Sequence, residues 1–329
     1  MSGVSVPEAP GIHCLAIPTP FAIGRVNCWL VDDEPLTLFD CGPNSGKALD
    51  ELEQLLGRLG RRVEDLERIV ITHQHIDHLG LVGVLARRSG AQICCLAELA
   101  PVVADFGAYA EADDAMAEEL MVRHGVPADV ATALRAVSRA FRGWGGSAEV
   151  AEPLDDGGTL DFAGRRFDVL HRPGHSPSDT VFWDAERAVL VGGDHLIAKV
   201  SSNPLIARPL DGDVSERPKA LLAYMASLQA TRDLPAEVIL PGHGEPVRDH
   251  ARLIDERFSM HERRAAKIAR LIAERPRTAH EIAQSLWGSV ALTQAYLTLS
   301  EVLGHVDLLA ERGQVTEAED GGVVRFAPA

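Results

Sequence analysis

Short apolar runs separated by turn residues dominate the first part of the chain. The runs 26–31 (VNCWLV) and 36–39 (LTLF) predict strands of a meander, and the tetrapeptide 40–43 (DCGP) ends the second run. Leucines at helical spacing then predict a helix over 46–59. A β-branched run at 67–72 predicts another strand, and it ends directly in a polar cluster that precedes a predicted helix at 80–88. Loops at the carboxyl ends of strands commonly carry the chemistry of α/β proteins.

The middle of the chain changes from strands to an alanine-rich helical pattern. After a predicted strand at 91–95, residues 97–146 are helical in pattern, with a break at 125–127 (GVP). We interpret this segment as a helical insertion. Its large apolar side chains either pack the helices together or roof an active site; they are Phe106, Tyr109, Met116, Met121, Phe141 and Trp144. Strands are predicted again at 166–171, 180–183, 188–191 and 237–240.

From about Phe258 the pattern becomes helix, turn, helix, helix and hairpin. Helices are predicted over 260–274, 278–286 and 294–311, followed by a hairpin over 313–326 that turns at Gly321–Gly322. This order predicts a catalytic domain over 1–257 and a small winged-helix-like domain over 258–329. The small domain has eight Lys/Arg against nine Asp/Glu, so it lacks the basic surface of a nucleic-acid reader. Packing or homodimer formation is the favoured role.

Composition narrows the classes of protein that this chain can be. Its 329 residues are 46% hydrophobic and 24% charged, which is typical of a globular protein with a substantial core. The formal net charge of −16 disfavours nucleic acid as the main partner. Residues 1–10 do not resemble a signal peptide, no run is apolar enough to span a membrane, and the five cysteines are odd in number and unpatterned. We therefore expect a cytoplasmic protein with reduced thiols and no membrane contact.

The candidate chemistry begins with the hexapeptide 73–78 (HQHIDH). Three imidazoles and one carboxylate within six residues are ligands suited to zinc and similar transition metals. In extended or turning backbone, His73 and His75 can bind one ion while Asp77 and His78 turn toward a second. A merely polar surface loop is a poor alternative for so dense a set of ligands beside an apolar strand.

Three later residues have a similar setting, because each follows an apolar strand and lies beside glycine. They are His175, Asp194 and His243. Glycine permits the close backbone approach that a metal pocket needs, and a carboxylate can bridge two ions through its two oxygens. Each residue alone would pass for a turn residue, but with the hexapeptide they supply the seven ligands that two metal ions require.

With these motifs in order, the chain resembles the metallo-β-lactamase-fold hydrolase superfamily from about His13 to His250. The family motif HxHxDH is matched in full at 73–78, and the later motifs match as well. The resemblance implies an α/β fold, an αββα sandwich of two mixed β-sheets with the site at one edge. It assigns His73, His75 and His175 to one metal, Asp77, His78 and His243 to the other, and Asp194 as the bridge. Asp40 matches an early aspartate that orients a histidine ligand.

The same resemblance covers glyoxalase II-like enzymes and the lactamase-beta-2-like branch, whose winged-helix tail resembles the segment after residue 258. One departure lies at 175–180 (HSPSDT), where relatives often carry a second histidine after Pro-Gly-His-Thr. The missing histidine puts any role of that position in doubt, but it removes none of the seven ligands.

The function that these motifs predict is metal-dependent hydrolysis. Two cations would lower the pKa of a shared water and polarise a carbonyl, with Asp77 as the catalytic proton carrier. We expect a small-molecule acyl substrate, an ester, thioester or lactone, and two divalent ions, zinc first, with iron, manganese and cobalt open. The alternatives are a β-lactam hydrolase, a metal-dependent RNA endonuclease, an iron-dependent oxygenase of the same fold and a catalytically silent binding protein.

Four further residues are candidate substrate contacts. His195 follows the proposed bridging residue, although packing beneath the site is its simpler interpretation. Lys199 and Asn203, with Ser201 between them, lie in a polar loop after it, and Tyr109 belongs to the insertion. The remaining histidines lack a comparable cluster and are interpreted as structural or surface residues.

Overall fold

Two β-sheets that face each other form the centre of the molecule. The computed structural model describes residues 4–329. The first sheet has the order β1-β2-β3-β4-β5-β6-β7, antiparallel up to β4 and parallel beyond it. Its strands are β1 Val4–Ser5, β2 Ile12–Ile17, β3 Val26–Val31, β4 Thr37–Phe39, β5 Arg68–Ile71, β6 Gln92–Leu96 and β7 Glu152–Leu154.

The second sheet has the order β12-β11-β10-β9-β8, in which only the β11–β12 pair is parallel. Its strands are β8 Thr159–Asp161, β9 Arg166–His171, β10 Thr180–Asp184, β11 Val189–Gly193 and β12 Val238–Pro241. Both sheets are mixed, as predicted. A separate antiparallel hairpin near the carboxyl end pairs β13 Val315–Asp320 with β14 Val323–Pro328.

Helices cover the outer faces of both sheets and pack against the terminal hairpin. They are α1 Gly46–Arg58, α2 Ile76–Leu79, α3 Val82–Ser89, α4 Ala100–Ala104, α5 Phe106–Arg123, α6 Ala128–Phe141, α7 Ala220–Arg232, α8 His250–Glu274, α9 Ala279–Trp287, α10 Val290–Thr293 and α11 Ala295–Glu311. Over residues 4–329, no helix combines the length and apolar character needed to cross a bilayer.

The hydrophobic cores show the predicted αββα layers. Between the sheets, Phe39 of the first sheet contacts Phe167 and Phe182 of the second, with ring centroids 5.7 and 4.9 Å apart. One outer core joins the first sheet to α1 and α3, and another joins the second sheet to α7 and α8. The alternation of a strand's side chains between its two faces lets each sheet bury residues on both sides.

The insertion and the carboxyl-terminal helices share a fourth core. Leu120, Met121 and Val126 of the insertion are buried together with residues of α8, α9, α11 and the terminal hairpin. The His124 ring stacks on Phe326 at a centroid distance of 5.9 Å. The two segments that sequence patterning treats separately therefore pack as one layer.

Several element boundaries differ from the sequence-based predictions. The hexapeptide 73–78 was expected in a loop, but Ile76–Leu79 forms the short helix α2. Helix α8 begins at His250 rather than near residue 260, because Asp249 caps its amino end through a hydrogen bond from Arg252 N. Helix α7 was not predicted. The predicted domain boundary at 258 lies within α8, and both this division and the winged-helix assignment stay predictions.

Candidate metal centre

The candidate ligands meet because strand ends meet at one edge of the sandwich. Asp40 follows β4, His73 follows β5, Asp194 follows β11 and His243 follows β12. These strands belong to the two parallel pairs β4–β5 and β11–β12, whose carboxyl ends lie side by side. His175 reaches the same place from the turn between β9 and β10.

Three imidazoles form the first ligand group. The Nδ1 atom of His75 lies 3.1 Å from Nε2 of His73 and 3.0 Å from Nε2 of His175. Two nitrogens bound to one tetrahedral zinc would lie about 3.3 Å apart, since each Zn–N bond is about 2.0–2.1 Å. The spacing of His73, His75 and His175 therefore suits one metal ion.

Asp77, His78 and His243 form a second group, and Asp194 lies between the two. The Oδ2 atom of Asp77 is 3.3 Å from Nε2 of His243. One oxygen of Asp194 lies 3.4 Å from His78 Nε2, and the other lies 3.7 Å from His175 Nε2 and 3.5 Å from His243 Nε2. A carboxylate between both groups has the position of a bridging ligand.

Three buried atoms at this centre have no hydrogen-bond partner. They are Nε2 of His78, Nε2 of His243 and Oδ1 of Asp194. Leaving buried polar atoms unpaired costs about 1–3 kcal/mol each, so three at one point call for a ligand. Imidazole nitrogens and carboxylate oxygens that converge on one point fit divalent metal ions.

Asp40 and Thr72 set the orientation of two of the candidate ligand histidines. Asp40 Oδ2 accepts from Nδ1 of His78 at 2.7 Å and from the Thr72 hydroxyl at 2.9 Å, and its Oδ1 accepts from Thr72 N at 2.9 Å. With the Thr72 proton directed to Asp40, His73 Nδ1 donates to Thr72 Oγ1 at 2.9 Å. Both rings then present Nε2 to the centre.

Main-chain carbonyls orient two other ligands. Nδ1 of His175 donates to the carbonyl of Asn203 at 3.1 Å, and Nδ1 of His243 donates to the carbonyl of Arg25 at 2.7 Å. Sequence reasoning identified Asp40 but missed Thr72, whose position between β5 and the hexapeptide is the one available signal. The two carbonyls have no side-chain signature at all.

The electrostatics of the centre favour positive charge beside its carboxylates. Burial and the neighbouring His175 lower the pKa of His75 to about 3, and burial holds the pKa of His73 well below its usual value. Burial opposes charge on His78, but Asp194 and Asp40 outweigh it and raise its pKa. The same interaction holds the pKa of Asp194 well below its usual range against the effect of burial. The ionised carboxylates of Asp194 and Asp40 therefore stabilise positive charge at the centre, as a site for a metal cation requires.

Gly242 shows why glycine lies beside a ligand. A Cβ atom at this position would be 2.2 Å from Oδ1 of Asp194 and 2.7 Å from Cε1 of His78. The main chain passes so close to the centre that no side chain fits.

A cavity of about 650 Å³ opens onto the centre. His75, Asp77, His175, Asp194 and His243 line it. Its other walls come from the insertion, Phe21 and Ile23, the segment 205–207 and residues 293–297 at the start of α11. Their apolar members include Phe106, Ala117, Met121, Leu134, Val137, Phe141, Leu205, Ile206 and Leu297. The insertion therefore roofs the centre, which was one of the two roles considered for it.

Of the four candidate substrate contacts, only Tyr109 lines the cavity. Its hydroxyl donates to the Arg208 carbonyl at 2.9 Å. The prediction for His195 is wrong: the ring is fully buried against Tyr224 and its Nε2 lies 2.9 Å from Thr231 Oγ1, beneath the site. Lys199 is exposed and Asn203 holds Leu297 through its amide, and neither lines the cavity.

Two histidines interpreted as isolated come together elsewhere. His261 Nδ1 and His305 Nε2 lie 3.2 Å apart, and Glu301 lies beside them. His305 Nδ1 donates to the Glu301 carbonyl at 2.6 Å, and Arg264 pairs with the Glu301 carboxylate. His261, His305 and Glu301 thus bond to other groups of the protein, and we assign no metal to this cluster. The five cysteines are all free thiols, four of them buried.

Comparison with known proteins agrees with this geometry. A family model described as the metallo-beta-lactamase superfamily matches residues 23–243. The chain is 31% identical over 315 residues to "Probable metallo-hydrolase YqjP" of Bacillus subtilis, covering 96% of this chain and 97% of that protein. It is similar to the metallo-beta-lactamase family protein TTHA1429 of Thermus thermophilus (28% identity, TM-score 0.79, 97% and 99% coverage). A beta-lactamase domain protein of Burkholderia ambifaria is similar too (25% identity, TM-score 0.83, 98% and 93% coverage).

Proposed function

The chain belongs to the metallo-beta-lactamase superfamily of metallo-hydrolases, and from this premise we propose that it hydrolyses small acyl esters, thioesters or lactones at a centre of two divalent metal ions. One observation carries the proposal: five of the seven candidate ligands line a cavity whose remaining walls are largely apolar. A pocket of this kind suits a substrate with a carbonyl at one end and an acyl chain behind it.

The protein's own residues have distinct roles in this reaction. When bound, divalent ions supply Lewis acidity to a carbonyl and acidify water. His73, His75 and His175 would hold one ion, Asp77, His78 and His243 the other, and Asp194 would contact both. Asp77 is buried but lines the cavity, so its carboxylate can accept a proton from the attacking water and return it to the leaving group. The apolar walls exclude competing water from the acyl chain.

The charges of the cavity disfavour a phosphodiester substrate. Its two arginines are already paired, Arg135 with Glu111 and Glu118, and Arg142 with Glu111 and Asp114. A nucleic-acid backbone needs positive charge that is free to release counterions. Zinc is our choice of metal because the centre is rich in imidazole. We also propose that the protein is cytoplasmic and that its cysteines are reduced thiols.

The test is a substrate panel on metal-loaded protein. Metal content would be measured first, followed by turnover of p-nitrophenyl esters, acyl thioesters, lactones, a chromogenic cephalosporin and a short RNA. We expect kcat/KM for esters to rise about two- to fourfold per added methylene until the cavity is filled, because each buried methylene contributes about 0.8 kcal/mol. The His73→Ala/His75→Ala protein is the control for contaminating esterases.

Other outcomes would select a rival. Cleavage of RNA without turnover of any acyl substrate would favour the endonuclease, and turnover of the cephalosporin alone would favour a β-lactam hydrolase. One iron per chain with oxygen consumption would favour the oxygenase.

A further inference from the structure

The segment 175–180, which departs from the family pattern, forms a chain of hydrogen bonds leading away from Asp179. Asp179 is buried, and its carboxylate accepts from the Ser176 hydroxyl at 2.8 Å and from Ser176 N at 2.9 Å. A carboxylate can only accept, so the Ser176 hydroxyl proton is committed to it. Ser176 Oγ in turn accepts from Ser178 N at 3.3 Å.

Ser178 connects these hydrogen bonds to Gln74. Ser178 Oγ accepts from the main-chain N–H of Gln74 at 3.2 Å. Its own proton is then free for the side-chain oxygen of Gln74, to which it donates a short hydrogen bond. With the Ser178 proton directed to Gln74 rather than to Ser176 Oγ, which lies 3.4 Å away, Oε1 of Gln74 is on the Ser178 side and the NH₂ group is on the opposite side.

The NH₂ group of Gln74 faces the cavity. Gln74 lies between the ligands His73 and His75, and it lines the cavity together with His75 and Asp77. Burial raises the pKa of the Tyr109 hydroxyl, and a hydrogen bond with the Gln74 side chain opposes that rise, so the amide and Tyr109 meet in the cavity wall. An amide nitrogen carries two hydrogens, and one remains for a molecule in the cavity, beside the candidate metal centre.

We propose that Gln74 is a catalytic residue that donates a hydrogen bond from Nε2 to the acyl oxygen of the substrate as negative charge develops on that oxygen. Ser178, Ser176 and Asp179 are positioning residues that hold the amide in this orientation. The proposal rests on acyl hydrolysis as the function of the site. A donor fixed in advance stabilises developing charge without reorganising during the reaction, and removing one such donor typically lowers kcat by about 100-fold.

Two substitutions of Gln74 test its N–H donor and its side-chain oxygen separately. Gln74→Met keeps the approximate size of the side chain and removes the donor, so we expect kcat to fall about 100-fold with little change in KM. Gln74→Glu keeps an oxygen for Ser178 and replaces the donor with a negative acceptor, so its loss should be at least as large. Gln54→Met, on an exposed face of α1, is the matched control and should behave like the wild type.

Further measurements distinguish catalysis from a structural effect. Metal content and thermal midpoint should match the wild type in Gln74→Met, and the loss should be equal for an oxygen ester and a thioester of the same acyl group. Affinity for a phosphonate that mimics the tetrahedral oxyanion should fall by a similar factor in calorimetry. Ser178→Ala frees the amide to rotate and should lower kcat by about 10-fold.

Different results would overturn the proposed acyl hydrolysis and the proposed role of Gln74. If the metal-loaded wild type turns over no acyl substrate, the proposed function fails, and the role of Gln74 falls with it. If the wild type is active and Gln74→Met keeps its kcat and its phosphonate affinity, only the role of Gln74 is overturned. Loss of metal in both Gln74 variants would likewise overturn it and make Gln74 a structural support of the centre.

Discussion

Replacing Asp40 with asparagine should weaken binding at the second ligand group without unfolding the protein. Asp40 has a positive φ of 57°, a conformation that asparagine tolerates and alanine does not favour, so Asp40→Asn isolates the loss of charge. The carboxylate accepts three hydrogen bonds, from His78 Nδ1, the Thr72 hydroxyl and Thr72 N. In either orientation of the asparagine amide, its NH₂ group faces one of these donors.

The size of the effect follows from the bond to His78. A hydrogen bond to a charged group contributes about 1.5–3 kcal/mol, and its loss also lets His78 move its proton to Nε2, the atom that faces the centre. We therefore expect roughly 10- to 100-fold weaker binding of one metal equivalent and a smaller effect on the other. His73 depends on Asp40 only through Thr72.

The assay is competition of each protein with a chromophoric chelator for two equivalents of zinc. Asp50→Asn is the control, because Asp50 is an exposed residue of α1 whose carboxylate accepts from Gln54. Wild-type affinity for both equivalents in Asp40→Asn would refute the orienting role of Asp40. Thermal midpoints of the metal-free proteins would show whether any loss of affinity reflects misfolding.

Three further predictions address the ligands, the close backbone approach and the roof of the cavity. The His73→Ala/His75→Ala protein should lose one metal equivalent and all turnover by elemental analysis and ester assay; retained hydrolysis in the purified protein would contradict the mechanism. Gly242→Ala should lose metal and activity but keep its circular dichroism spectrum, because the new Cβ would clash with Asp194 and His78. Gly57→Ala in α1 is the control: its Cβ would meet nothing within 4 Å, and the protein should gain about 0.5–1 kcal/mol in stability. Burial raises the pKa of Asp113 in the cavity wall to about 6 from an ordinary 3.8, so its contribution to stability is present below about pH 4 and is lost as the pH rises through 6. Asp113→Asn should therefore be more stable than the wild type by about 3 kcal/mol at pH 7, because each pKa unit corresponds to about 1.4 kcal/mol. At pH 4 the two metal-free proteins should be nearly equal in urea denaturation, and an equal difference at both pH values would refute this reasoning.

Much of the fold was predictable because its elements have local signatures. Strand β3 was predicted with the bounds that the structure shows, and α1 to within one residue, since alternating and helical spacings are properties of short windows. Helix α7 was missed, although its inner residues pack on the second sheet. The early start of α8 was missed as well, because an aspartate cap is a weak signal on its own.

The candidate ligands were also predictable, and for a chemical reason. Imidazoles and a carboxylate crowded into 73–78, followed by three strand-end residues beside glycine, have few uses other than metal binding. That argument needs only residue types and spacing. It could not separate His195, which follows a ligand in sequence but turns beneath the site to meet Thr231.

The amino-acid sequence by itself thus determined the family and the layered fold and predicted the ligand chemistry, because each motif and each element has its signature within a few neighbouring residues. Only the tertiary structure decided which nitrogen of each ring faces the centre, since the partners of His175 and His243 are carbonyls 28 and 218 residues away. It also decided that the insertion and the carboxyl-terminal helices share one core and together wall the cavity. Apolar spacing shows that a helix buries a face, but the surface that covers this face is chosen only when the whole chain packs.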